Sequence, residues 1–180
     1  MIVLRAVTAV IGSLVLAAMF GGAHAQNSTG AEARLKEKSI ILPVLPPPFA
    51  NYVDAVRVGN LLFMAGNTSG GPEWKLRGKV GRDLTVEQGY QAARAAGLVM
   101  LAKIRAELGS LNRVKRLVKV LGMVNAADGF ADTPKVINGF SDLMVEVFGE
   151  AIGKHARSAV GLSALPANMP VEVEMIVEVE

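Results

Sequence analysis

The chain has 180 residues, 51% of them hydrophobic, with 5% aromatic and 19% charged. That length fits one domain behind a processed leader, and that composition builds a core from Val, Leu, Ile, Ala and Met. There is no cysteine, which excludes disulfides, thiolate metal sites and thiol nucleophiles, and a net charge of +3 is too small an excess to argue for nucleic acid despite a pI near 9.3.

Met1 to Ala25 carries one early cation, Arg5, an apolar run from Ala6 to Phe20, then Gly21-Gly22 and Ala23-His24-Ala25. Charged, apolar and small-residue zones in that order predict a secretory signal cleaved before Gln26, with a periplasmic or secreted product. The competing reading is a retained anchor, but the apolar run falls short of the ~20 residues that span a bilayer, so no stable membrane insertion is expected. Cleavage removes His24 and leaves His155.

Residues 26–48 are expected as an extension or linker and 49–180 as the domain. Gln26 to Ala33 is small and polar and reads as a disordered start; Leu35 to Ile41 could form a helical turn. Pro43, Pro46, Pro47 and Pro48 make the next stretch extended and bar it from a central strand. Val53–Val58 and Leu61–Ala65, split by Gly59-Asn60, predict a hairpin. Gly66 to Asp83 reads as a loop. Thr85 and Gln88 have capping-box spacing. The apolar set from Val86 through Tyr90, Ala93, Gly97, Leu101 and Ile104 to Leu108 then predicts a helix that Gly109 stops.

Val114–Val124 is β-branched and predicts a strand. Thr133–Phe148 predicts a second helix, with Pro134 in its first turn and Gly149 at its end. Arg157–Leu165 and Val171–Glu180 predict the last two strands. In the final one Val171, Val173, Met175, Val177 and Val179 point one way and the glutamates the other. The fold class is α+β, one sheet in ββαβαββ order with two helices on its valine face. The glutamate face must meet water or a polar interface, because unpaired buried carboxylates are too costly.

Few residues can carry chemistry. Arg157, near the head of an apolar strand, is either a surface cation or a planar fork for a carboxylate. Glu172 is either a solvated strand residue or a site group. A tight turn near Ala167-Asn168 would pair Leu165 with about Pro170 and bring Glu172 near Ser163 instead of Arg157. The two would then share a ligand only if the sheet curves or a second subunit contributes. His155, a lone histidine, reads as structural, and no histidine or cysteine cluster supports a metal site. The Gly66–Gly71 loop lacks phosphate-loop and dinucleotide patterns, so no cofactor is expected. Ser158 and Ser163 lack the setting of a hydrolase nucleophile.

Asn51-Tyr52-Val53, Gly59 to Gly66, Asn138, and above all Ala156-Arg157-Ser158-Ala159-Val160 with Leu165-Pro166 and Val171-Glu172-Val173-Glu174 form a recognisable set. Over about Leu42 to Glu180 they resemble the Rid/YjgF (reactive intermediate deaminase, endoribonuclease L-PSP-like) family. The resemblance implies a chorismate-mutase-like fold and a homotrimer with ligand clefts between subunits. It also implies hydrolysis of reactive 2-imino acids or their enamines to 2-keto acids and ammonia. By the same resemblance Arg157 clamps the substrate carboxylate, Glu172 positions the water, and Tyr52 and Asn138 line the cleft together with backbone groups near Gly66 and Ala159. Ala65 replaces the family's usual serine and Ala159 its usual cysteine. The alternative is a non-catalytic trimer that binds a small carboxylate or amine. Some relatives have been called ribonucleases, a label this chain's charge does not support.

Overall fold

Alternation along the last strand decides how the layers stack. The computed structural model describes residues 30–45, 51–69 and 74–180. The expected leader lies outside them, as do 26–29, the prolines 46–48 and the glycines 70–71. Strands β1 (Ala55–Val58), β2 (Leu61–Thr68), β3 (Val114–Asn125), β4 (Ala156–Leu162) and β5 (Val171–Val179) form one mixed sheet in the order β1-β2-β5-β3-β4. Neighbours are antiparallel except β3 and β4, which are parallel. In β5 the five expected inward residues, Val171 to Val179, are at most 3% exposed, and the glutamates point out of the other face.

Helices α2 (Val86–Leu108) and α3 (Thr133–Phe148) cover the valine face, as the two-helix reading expected. The capping box forms: Thr85 Oγ1 accepts from the Gln88 amide at 3.1 Å, and Gln88 Oε1 accepts from the Thr85 amide at 2.9 Å. α2 ends on Gly109 at φ 78°. The two helices pack closely because α3 carries Gly139 at the crossing. A Cβ there would lie 2.0 Å from the Tyr90 carbonyl oxygen of α2. Gly122 does the same between α3 and the sheet, since a Cβ on it would sit 2.6 Å from Ile137. Two glycines thus fix α3 against its neighbours and, with it, the side chains α3 offers at the sheet edge.

The structure changes four local expectations. A helix α1 (Ala31–Glu37) starts earlier than the helical turn placed at Leu35–Ile41, because Ala31 and Leu35, one turn apart, both bury into the core. Its Glu32 also takes a two-point contact from Arg105, at 2.9 and 3.1 Å. β2 runs on to Thr68, into the segment expected as loop, by absorbing a bulge between Met64 and Asn67. A short α4 (Glu150–Gly153) follows α3. The fourth change is topological. The tight turn expected between the last two strands does not pair them: β4 stops at Leu162, a 3₁₀ turn at Pro166–Asn168 follows, and β3 lies between β4 and β5. The chain crosses over from β3 through α3 and α4 to β4, which pairs parallel with β3 and is left as a sheet edge.

Candidate functional site

Register places Arg157 and Glu172 on opposite faces. Arg157 pairs with Val120, which is fully buried, so its side chain leaves β4 on the helix side. Glu172 pairs with Met123 on β3 and Thr68 on β2, and its side chain leaves β5 on the open side. The two positions are two strand spacings and three residues apart, roughly 10 Å in each direction. Within one chain they do not form a common pocket.

On the helix side, one nitrogen of Arg157 does the anchoring. Nη1 donates to Asn138 Oδ1 and to Ser141 Oγ, both at 3.0 Å. Asn138 and Ser141 are three residues apart on α3 and share its face. Both anchors are neutral. Among the described residues Nε and Nη2 have no hydrogen-bond acceptor and Arg157 has no carboxylate partner. The free edge of the guanidinium is the geometry that takes a carboxylate bidentately. It lies beside the unpaired edge of β4, where a ligand or a second chain can approach.

On the open side, Glu172 lies over Gly66. A Cβ on Gly66 would come within 2.2 Å of Glu172 Oε1, so only glycine leaves the carboxyl its place. Gly66 occupies the β2 bulge, and the Asn67 side chain braces that bulge by donating to the Ala65 carbonyl at 2.7 Å. Burial, and then the neighbouring Glu174 charge, push the Glu172 carboxyl above its ordinary value. Such a carboxyl is a better proton acceptor than a solvated one.

The other expected site residues are split between these groups. Asn138 belongs with Arg157 and Gly66 with Glu172. Ala159 sits two residues after Arg157, half-buried against the core, and its carbonyl accepts from the Thr133 hydroxyl at 3.1 Å. Tyr52 precedes β1 and is 47% exposed; it joins neither group by a hydrogen bond among the described residues. Sequence reasoning missed Ser141, although its spacing from Asn138 was the available signal. A separate hollow on the open face, lined by Phe63, Lys119, Leu121, Ser158, Glu174 and Ile176, contains none of the expected site residues.

A mixed sheet backed on one face by two helices defines a chorismate-mutase-like α+β domain. Comparison with known proteins makes this specific. The model of the YjgF/chorismate mutase-like family matches residues 32–179. Protein TCP17 of Trypanosoma cruzi is 43% identical over 150 residues, 81% of this chain and 92% of its own. A 2-iminobutanoate/2-iminopropanoate deaminase of Dermatophagoides farinae is 31% identical over 144 residues, covering 80% of this chain and 98% of its own. The solved structure of Atu1372 from Agrobacterium tumefaciens superposes with a TM-score of 0.74 at 38% identity, over 83% of this chain and 91% of that one. The chain belongs to the Rid/YjgF family.

Proposed function

We propose that the protein hydrolyses small 2-imino acids to 2-keto acids and ammonia, in clefts between the subunits of a homotrimer. The observation that carries this reading is Arg157: a guanidinium held through one nitrogen by two neutral partners, with its remaining edge unpaired among the described residues. Such a group is built to receive a carboxylate from outside the chain. Glu172 supplies the second function. Its raised pKa suits a base that takes a proton from water as the water oxygen adds to the imine carbon. With the imine nitrogen protonated, addition leaves a neutral carbinolamine and a protonated Glu172. The nitrogen then takes that proton and departs as ammonia with the C–N electron pair, and the hydroxyl proton passes back to the Glu172 carboxylate as the C–O bond becomes the keto group. An imine carbon is already electrophilic, so fixing the carboxylate and aiming one water supplies much of the acceleration. The likeness to the mite deaminase supports this substrate class.

The separation of the two groups supports a site shared between subunits, and the trimer is the assembly that the family resemblance implies. Arg157 at the edge of β4 in one subunit and Glu172 on the open face of its neighbour can face one ligand, which a single chain does not allow. The open face suits burial between subunits: it carries Val56, Val58, Phe63, Val160 and Leu162, each more than a third exposed in the single chain. The leader anatomy supports export with cleavage after Ala25, tested by the N-terminal mass of protein from its native host: a mature Gln26 start is expected, and an intact Met1 start contradicts it. Among the described residues no helix is long and apolar enough to cross a membrane.

A second reading, a trimer that binds such ligands without turning them over, is favoured by Ala65 and Ala159, which give the cleft neither hydroxyl nor thiol. One assay separates the two. Imines generated from several amino acids are added to the purified trimer, with the spontaneous reaction as control. Hydrolysis faster than the control is expected; rates equal to it for every side chain, with 2-keto acid binding intact, leave the binding reading.

A further inference from the structure

His155 is not a bystander to the Arg157 anchor. Its Nδ1 lies 2.7 Å from the Gly153 carbonyl oxygen, and its Nε2 lies 3.1 Å from Ser141 Oγ. Ser141 Oγ is the same atom that receives Arg157 Nη1 at 3.0 Å. The four groups form a chain, and its polarity can be worked out. A carbonyl oxygen only accepts, so Nδ1 carries the hydrogen. A neutral ring then leaves Nε2 as an acceptor, and the Ser141 hydroxyl must donate to it. That directs the serine lone pairs toward Arg157, which can only donate. From Arg157 Nη1 to the α4 backbone, each donor in this chain meets an acceptor.

The ring is held for this role. It packs edge-on against Phe140, with centroids 6.4 Å apart, and α4 brings the Gly153 carbonyl to its other side. Burial, opposed only by the Gly153 contact, keeps the imidazole below its ordinary pKa, and the Arg157 charge acts in the same direction. The nearby Lys154 and Glu150 pair with each other at 2.8 Å. The neutral ring that the chain requires is therefore the form favoured at neutral pH.

We propose that Ser141 and His155 are positioning residues that set the plane of the Arg157 guanidinium, and so aim its free edge at the ligand carboxylate. This rests on the reading of Arg157 as a carboxylate clamp. Asn138 alone leaves the fork free to rotate about its single contact; the serine, oriented by the histidine, supplies the second point that fixes it. Protonation of His155 would turn Nε2 into a donor, compete with Arg157 for the serine oxygen and add a like charge beside it.

The test compares His155→Gln, which keeps an acceptor near the Nε2 position, with His155→Phe, which keeps the packing and removes it, and with Ser141→Ala. The first readout needs no ligand: ¹⁵N relaxation of the Arg157 Nε–H in the free trimer. The expected result is a rigid signal in wild type and His155→Gln, and a mobile one in His155→Phe and Ser141→Ala. Equal order in all four overturns the proposal. The second readout is calorimetric titration with 2-oxobutanoate. Loss of one hydrogen bond in the orienting chain is expected to weaken binding about fivefold to tenfold in His155→Phe and Ser141→Ala, with His155→Gln within about twofold of wild type. Equal affinity in all variants also overturns it. A wild-type trimer that binds no 2-keto acid sinks the carboxylate-clamp reading instead, while the relaxation data still decide whether Ser141 and His155 order the arginine.

Discussion

The Arg157 group and the Glu172 group are built by opposite means. Arg157 is positioned by hydrogen bonds, through Asn138 and Ser141 on a helix that two glycines hold close. Glu172 is positioned by shape: Gly66 leaves a space beside the bulge, and the carboxyl fills it. A hydrogen-bonded anchor keeps a charge aimed. A partly buried, close-packed one raises the pKa of an acid. The first suits holding a substrate and the second suits moving a proton, which is the basis of the roles proposed for them.

Changes to each group should therefore fail differently. Arg157→Ala should cost about 2–4 kcal/mol in binding 2-oxobutanoate, because a bidentate ion pair is lost, while light scattering still finds the assembled trimer. Unchanged affinity by calorimetry would move Arg157 from the clamp to the scaffold. Glu172→Gln should keep that affinity and slow imine hydrolysis by about 10²-fold, the scale of a general base. Gly66→Ala should slow hydrolysis by about tenfold, less than loss of the base itself, because its Cβ must push the carboxyl aside. Binding at the arginine should be untouched. Asn138→Ala should do the reverse, weakening 2-oxobutanoate binding by about fivefold for one lost hydrogen bond, with the rate at saturation little changed.

Titration sharpens the contrast least but cleanly. In the proposed mechanism hydrolysis needs the Glu172 carboxylate, so the rate should rise with pH through a value above the ~4.3 of an ordinary glutamate. A limb at or below that value would contradict the base assignment. His155 acts on stability with the other sign convention. Its folded pKa is depressed, so the unfolded chain binds more protons between the two values. Its contribution is fully present above the unfolded value of about 6.5 and is lost as pH falls through the folded one. Denaturation midpoints of wild type and His155→Gln, compared across that window, should diverge on the acid side.

The periodic elements could be read from the chain because burial and periodicity coincide in them. The β5 alternation, the α2 capping box and the Pro134 and Gly149 limits of α3 all emerged within a residue or so of expectation. The partner of β4 could not be read. Local turn residues at Ala167-Asn168 suggested a hairpin, and both do take positive φ, at 53° and 55°. The choice of β3 over β5 as neighbour is a long-range packing decision that turn chemistry does not encode. The bulge at Ala65-Gly66 was hidden for a similar reason: it is defined by the Glu172 side chain that sits on it. Ser141 and His155 each look ordinary in sequence. Only the short α4, which folds the chain back between them, makes them neighbours.

The central claim is that one working site takes Arg157 from one subunit and Glu172 from the next. Arg157→Ala and Glu172→Gln chains, carrying different tags, can be unfolded together, refolded in equal amounts and assayed for imine hydrolysis. In a cyclic trimer with head-to-tail interfaces, random mixing restores about one quarter of the sites, so about one quarter of wild-type activity should return from two nearly inactive parents. Activity no greater than the average of the parents, in mixtures shown by the tags to contain hybrid trimers, would contradict the shared cleft.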